Sequence, residues 1–106
     1  MQECIFCKII NKEIPKKLEA ETANLLAFKN INPKAPVHLL IVPKEHVQDI
    51  RYDSGVIWAS MGKLAVKLAK DKKLKSFRLV HNTGEAAAVP HMHMHLLGEV
   101  AATREV

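Results

Sequence analysis

The chain has 106 residues, of which 48% are hydrophobic, and carries a formal net charge of +5 at pH 7. This size and composition predict one domain, residues 1–106, with a real core. No stretch is apolar and long enough for a secretion signal or a membrane span, so we expect a cytoplasmic protein. The positive charge favours anionic ligands such as nucleotides. Specific nucleic-acid binding is not expected, because the lysines between positions 63 and 75 lack interleaved aromatic residues.

A short helix opens the predicted order of elements, at about residues 3–11. It is expected to end before Pro15, because proline breaks a helix interior, and to turn Ile5, Ile9 and Ile10 inward.

Three strands are predicted next, at residues 18–20, 24–29 and 37–42. A turn-prone segment at residues 30–33 separates the second strand from the third. The third strand is nearly all apolar and stops at Pro43, as expected of a strand that is buried on both faces. We therefore expect it to lie at the centre of the sheet.

One long helix follows, with a cap at Asp53 and Ser54 and an end near residue 73. Its apolar stripe predicts packing against the sheet, although Trp58 or Met61 in a ligand pocket is the alternative. A strand at residues 77–81, a turn at 82–85 and a last strand at 91–98 complete an α+β order. The residues of the helical stripe are Ile57, Met61, Leu64, Ala65 and Leu68.

The last predicted strand carries the most informative pattern of the chain, which is His91, His93 and His95 at every second position. Side chains alternate along a strand, so the imidazoles are expected on one face and the intervening apolar residues on the other. Imidazole titrates near neutrality and serves as nucleophile, proton donor or metal ligand. A purification tag or a metal-scavenging surface strand are the alternatives, and neither fits a run that is interleaved with core-type residues.

Other candidate residues are weak signals when taken singly. His38 opens the buried strand and Asn82 follows another strand, and each could be a structural residue. Cys4 and Cys7 have the spacing of a zinc-binding pair, with His46 and one histidine of the run available as further ligands. Two inert buried thiols without a metal are the alternative.

In their order along the chain, these residues resemble the histidine-triad (HIT) family, specifically its Hint-like branch. The resemblance implies a half-barrel of about five antiparallel strands with one long helix and a short N-terminal helix, paired into a homodimer. The matching motifs are Cys-Ile-Phe-Cys-Lys-Ile-Ile at 4–10, Glu-Ile-Pro at 13–15, Asn-Pro-Lys-Ala-Pro-Val-His at 32–38, Ile-Val-Pro-Lys-Glu-His at 41–46, Asn-Thr-Gly at 82–84 and the complete His-φ-His-φ-His-φ-φ signature, with φ apolar, at 91–97.

The resemblance implies a hydrolase or transferase that cleaves nucleoside phosphoramidates, purine ones above all, or related nucleotide conjugates at the α-phosphate. His93 would form a nucleotidyl intermediate, His95 would hydrogen-bond the phosphate or leaving group, and His38 would orient His95. Attack requires a neutral His93 whose other ring nitrogen donates to a backbone carbonyl. A nucleotide-binding or regulatory module with little turnover is the alternative. A zinc-dependent oxidoreductase or thiol enzyme is disfavoured, because no strand precedes the cysteine pair.

The resemblance also implies two groups of ligand-binding residues. A structural zinc ion would be held by a closed set that leaves no position for catalysis, namely Cys4, Cys7, His46 and His91. The nucleotide would be bound by Asn30, Ile31, Asn82, Ala88, Val89, His93 and His95.

The chain departs from the family pattern at three places. Residues 85–90 read Glu-Ala-Ala-Ala-Val-Pro where the family carries a Gly-Gln-Ser/Thr element that contacts the phosphate. Asn30 stands where an acidic ribose ligand is common, and residues 98–100 replace a Gly-Gly-Arg ending. Loss of one electrostatic donor costs on the order of a hundredfold in rate, so we expect weakened turnover with nucleotide binding retained.

Overall fold

The computed structural model describes residues 4–105. They form a five-stranded antiparallel sheet in the order β1-β2-β3-β5-β4, so the apolar third strand is central, as predicted. The α+β class and its element order are confirmed. The elements are α1 (Ile5–Ile10), β1 (Leu18–Glu21), β2 (Leu25–Lys29), β3 (Val37–Pro43), α2 (Val56–Asp71), β4 (Phe77–Val80) and β5 (Met94–Gly98), with short 3₁₀ turns at Ile50–Tyr52 and Gly84–Ala86.

Both faces of the sheet are covered, because β3 is apolar on both of its sides. Leu39 and Ile41 belong to a core that packs against α2, whereas Leu40 and Val42 belong to a second core that packs against α1. The apolar stripe of α2 is therefore ordinary core, and Met61 is fully buried there. The buried residues that α2 contributes are Met61, Leu64, Ala65, Leu68 and Ala69.

The predicted cap of α2 at Asp53 and Ser54 is confirmed for Asp53, although neither residue occupies the N-cap position itself. Gly55 occupies the N-cap position with φ 107°, a left-handed conformation, and makes no side-chain cap. The carboxylate of Asp53 instead accepts hydrogen bonds from the backbone N–H groups of Ile57 and Trp58, at 3.2 and 3.0 Å. Asp53 therefore satisfies the first free amides of the helix, as a capping side chain does.

The N-terminal helix differs from the prediction in its length and in its buried face. Residue 3 lies outside the described residues. Ile5 is 47% exposed, so its predicted inward position is wrong, while Phe6 and Ile9 are buried. The side chains at positions 6, 9 and 10 lie on one face of the helix. The side chain of residue 5 points about 100° away from the side chain of residue 6 around the helix axis.

The last strand begins at Met94, so the prediction of a strand from residue 91 is wrong for its first three residues. Residues 91–93 leave the sheet because Met92 N–H donates to the carbonyl of Val47, at 2.6 Å, and not to a neighbouring strand. The alternation of faces persists through this segment. Met92, Met94 and Leu96 are fully buried in the core beneath α2, and the histidines lie on the α1 side.

Two strands form the edges of the sheet, β1 and β4. Phe77 and Leu79 on β4 are each 38% exposed. Among residues 4–105, neither helix has the length and hydropathy that a bilayer crossing requires.

Candidate active site and metal centre

Strands β3 and β5 bring His38 and His95 into contact on the α1 side of the sheet. Nε2 of His38 lies 2.9 Å from Nδ1 of His95. The backbone N–H of Lys34 donates to Nδ1 of His38 at 3.0 Å, so the proton of a neutral His38 is on Nε2. That proton is donated to Nδ1 of His95, and the proton of His95 is therefore on its own Nε2. One backbone amide thus fixes the tautomers of both rings.

The ring of His93 packs edge-on against Phe6 and His95, with centroids 5.1 Å from each. Its Nδ1–H donates to the carbonyl of His91 at 2.7 Å, which leaves a lone pair on Nε2. The residue is only 4% exposed. Within residues 4–105, however, every buried side-chain nitrogen and oxygen has a hydrogen-bond partner, and Nε2 of His93 has none. Nε2 is therefore at the accessible surface.

The three rings are held neutral near pH 7. Burial, followed by the charges of His93 and His38, lowers the pKa of His95 to about 4. Burial also lowers the pKa of His38, with further contributions from the cations Arg104 and Lys34. The pKa of His93 is lowered by burial against the opposing effect of its hydrogen bond to His91. Crowding of imidazoles contributes, but desolvation is the larger cause.

The predicted nucleotide-binding residues are connected to the histidines to different degrees. Nδ2 of Asn30 lies 3.4 Å from Nε2 of His38, and its Oδ1 accepts from Asn32 N–H, so Asn30 borders the His38–His95 pair. Ile31 is 79% exposed. Val89 packs against the α1-side core. Asn82 is half-buried and Ala88 is exposed, and in the described part of the chain no side-chain hydrogen bond joins either residue to the histidines.

Two residues that lie behind the histidines were not indicated by the sequence as part of the site. The ring of Phe6 packs edge-on against His91 as well as His93. His81 donates from Nδ1 to the carbonyl of His93, at 2.9 Å. The available signal for His81 was a histidine immediately before Asn82, at the end of a predicted strand.

The four predicted metal ligands meet at one end of this site, where α1 packs beside the segment that precedes β5. The ligand atoms of Cys4, Cys7, His46 and His91 all lie within 4.8 Å of one another. Sγ of Cys7 is 3.1 Å from Nδ1 of His46 and 3.6 Å from Nδ1 of His91. Sγ of Cys4 is 3.4 Å from Nδ1 of His91.

This donor set fits a tetrahedral zinc ion. Zinc–sulfur and zinc–nitrogen bonds of ordinary length put the ligand atoms roughly 3.3 to 3.8 Å apart. Nε2–H of His91 donates to the carbonyl of Pro43 at 2.9 Å, which turns the Nδ1 lone pair towards the thiols. Burial, and then the neighbouring Cys4, raise the pKa of Cys7 to about 11. A bound cation would reverse this shift, because a ligating thiol is deprotonated.

Comparison with known proteins gives one consistent result. The profile of the HIT domain family matches residues 11–101. Protein HitA of Neisseria gonorrhoeae is 36% identical over 104 residues, which cover 92% of this chain and 97% of HitA. A HIT family hydrolase from Clostridium thermocellum is 40% identical with a TM-score of 0.90, over 100% of this chain and 98% of that one. A hypothetical histidine triad nucleotide-binding protein from Sulfolobus tokodaii is 26% identical with a TM-score of 0.78, over 90% and 68% of the two chains.

Proposed function

This chain belongs to the HIT domain family, and from that premise we propose that it cleaves nucleotide conjugates at the α-phosphate through a nucleotidyl-histidine intermediate. The substrate class is nucleoside phosphoramidates, purine ones above all, or related conjugates. The observation that carries the proposal is the tautomer of His93, whose Nδ1–H is bound to the His91 carbonyl while Nε2 is free. A neutral imidazole with an accessible lone pair is the form that attacks phosphorus.

In the first step, Nε2 of His93 bonds to the α-phosphorus as the bond from phosphorus to the leaving nitrogen breaks. The electron pair of that bond stays on the nitrogen, which leaves as a neutral amine because it has taken a proton from solvent. Water then attacks the phosphorus, breaks its bond to Nε2 and returns a proton to solvent. The products are the nucleoside monophosphate and a restored His93.

His95 and His38 support this step through hydrogen bonds. Because Lys34 N–H donates to His38 and His38 donates to Nδ1 of His95, the proton of His95 is on Nε2. This Nε2–H is a donor for a phosphate oxygen or the leaving nitrogen, where negative charge develops. His38 acts on His95, because its Nε2–H fixes which nitrogen of His95 carries the proton. The role of His38 is therefore orientation.

The proposal is tested by trapping the intermediate. The protein is mixed with adenosine 5′-phosphoramidate, quenched in alkali, which preserves a phosphorus–imidazole bond, and analysed by mass spectrometry. We expect an adenylyl group on His93 in the wild-type protein and in the exposed-surface control Lys70→Ala, and none in His93→Gly. Absence of both adduct and turnover in the wild-type protein would overturn the enzymatic proposal.

The second candidate function is a nucleotide-binding module with little turnover. Residues 86–88 are alanines, so this loop offers no hydroxyl or amide side chain to a phosphate. Calorimetry with AMP separates the two functions, because the binding module would bind AMP without forming an adduct.

We also propose that Cys4, Cys7, His46 and His91 hold a structural zinc ion. Support comes from the fit of the donor set and from the hydrogen bond that orients His91. All four positions of a tetrahedral ion would be taken by protein atoms. The ion would supply cross-linking of α1 to the segments that carry His46 and His91, and no reaction step.

We further propose a homodimer that joins two sheets through β4. In the described residues this strand pairs with β5 alone, so its outer edge is free. Phe77 and Leu79 on that strand, and Val66 on α2, are exposed apolar residues that a second copy would cover. A molar mass of one chain by light scattering would contradict this. The single domain over residues 1–106 and the cytoplasmic location stay predictions from the sequence.

A further inference from the structure

We infer that His81 is a positioning residue that holds the backbone of His93, and with it the free Nε2, through a hydrogen bond from its own ring. The inference rests on the proposed function, because it assigns His81 a role in a reaction at His93. His81 makes no contact with the substrate in this account.

The need for such a residue follows from where the sheet ends. The register of β4 and β5 runs from Phe77 with Gly98 to Val80 with His95, and it goes no further. The carbonyl of His93 therefore lies beyond the last pair of the ladder, where no neighbouring strand donates to it. Nδ1–H of His81 makes that hydrogen bond in place of a backbone amide, at 2.9 Å.

The other side of the imidazole is also engaged. Nε2 of His81 accepts the backbone N–H of Ile50 at 3.1 Å, so a neutral ring bridges the Ile50–Tyr52 turn to His93. The ring also packs against Trp58, with centroids 5.5 Å apart. Three contacts thus fix both its tautomer and its orientation.

Asp49, which caps the Ile50–Tyr52 turn, binds the chain two residues beyond Asn82. The carboxylate of Asp49 is 1% exposed, pairs with Arg51 at 2.8 Å and accepts the backbone N–H of Gly84 at 3.4 Å. Asn82, a candidate nucleotide ligand, therefore lies between His81 and Gly84, which are both bound to residues 49–50. Through His81, one turn sets the relative positions of Asn82 and His93.

Two amide variants separate the two hydrogen bonds of the ring. In His81→Asn the Nδ2 group lies where Nδ1 was, so the donor to His93 is kept and the acceptor for Ile50 is lost. In His81→Gln the Oε1 atom lies where Nε2 was, so the acceptor is kept and the donor is lost. Each variant gives up one bond to a backbone group, and the two are expected to melt at similar temperatures.

The test measures kcat and KM for adenosine 5′-phosphoramidate. We expect His81→Gln to lose on the order of tenfold or more in kcat with little change in KM, because a displaced nucleophile slows attack more than it weakens binding. His81→Asn is expected to stay within roughly threefold of the wild-type kcat. Equal losses in the two variants, a larger loss in His81→Asn, or a loss confined to KM would overturn the inference.

A second measurement tests the role of His81 without requiring that the protein has enzymatic activity. In ¹⁵N NMR spectra of the free protein, we expect His93 in one Nδ1–H tautomer in the wild type and in His81→Asn. In His81→Gln we expect averaged ring shifts, because the loosened carbonyl of His93 lets the ring leave the His91 carbonyl. A wild-type protein without turnover would contradict the proposed function, and the NMR comparison would still decide the role of His81. An unchanged His93 tautomer in His81→Gln would overturn it.

Discussion

His91 and His93 lie two residues apart on the same side of the chain, and the backbone fixes their rings in opposite tautomers. His91 donates from Nε2 to the carbonyl of Pro43, which leaves Nδ1 free to face the two thiols. His93 donates from Nδ1 to the carbonyl of His91, which leaves Nε2 free. The difference between a candidate metal ligand and a candidate nucleophile thus comes from which carbonyl each ring meets, because the side chains are chemically identical.

Loss of the His93 ring should have the largest effect on catalytic rate. We expect His93→Gly to lower kcat by on the order of ten thousandfold or more, because no other residue would form the covalent bond to phosphorus. The steady-state rate with adenosine 5′-phosphoramidate measures this. Zinc content should be unchanged, since His93 is not a ligand. A variant that kept more than about a hundredth of the wild-type rate would exclude His93 as the nucleophile.

Removal of a thiol should affect the proposed zinc site and the stability of the fold. We expect Cys4→Ser to lose zinc and about 3 to 5 kcal/mol of unfolding free energy, because loss of a metal is among the largest single-residue effects. Elemental analysis and urea unfolding measure the two quantities.

The matched control is Cys4→Ser against wild-type protein that has been stripped with a chelator, and the two should unfold alike. Wild-type protein that is purified without metal, and whose stability added zinc does not raise, would contradict a structural zinc site.

Disruption of the orienting pair should have a smaller effect on rate. We expect His38→Phe to lower kcat about 10- to 100-fold, in the range found for residues that orient a functional histidine. His95 would then lose the partner of its Nδ1, which is 2.9 Å away in the wild-type protein. His38→Gln retains a side-chain donor and should recover part of the loss. Equal activity of wild type and His38→Phe would remove His38 from the mechanism.

Acidification should produce the smallest effect. The pKa of His95 is lowered to about 4 in the folded protein, so below the usual value of about 6.5 the unfolded chain binds more protons. Stability is therefore present above pH 6.5 and is lost progressively between pH 6.5 and 4. His95 alone should contribute a loss of about 1 kcal/mol between pH 8 and pH 5.5. Urea unfolding at both values measures it, and a His95→Gln variant should show a correspondingly smaller pH dependence.

The strands could be predicted because they depend on local patterns. Alternation put Met92, Met94 and Leu96 in one core. The Cys-x-x-Cys spacing indicated a metal-binding pair, whereas the complete ligand set with His46 and His91 came from the family resemblance, and the structure brings these four residues together. The start of β5 could not be predicted, since it depends on Met92 bonding to Val47, far away in the sequence. The buried face of α1 could not be predicted at Ile5, because apolar residues lie on more than one side of this helix and only tertiary packing selects among them.

The roles of individual nitrogens were the least predictable part of the site. The sequence predicts that His93 needs a carbonyl partner for one ring nitrogen, but it does not tell that the carbonyl belongs to His91. The bridge from Ile50 through His81 to His93 joins three segments that are distant along the chain. Such contacts depend on the finished fold, and no periodicity or motif records them.

The most direct test of the opposite tautomers is a long-range ¹H–¹⁵N NMR spectrum of the imidazoles in the zinc-loaded protein at pH 7. We expect His93 to carry its proton on Nδ1 with an unprotonated Nε2, and His91 to carry its proton on Nε2 with a metal-bound Nδ1. A His93 ring protonated on Nε2, or on both nitrogens, would contradict this expectation, because the nucleophilic lone pair would then be absent.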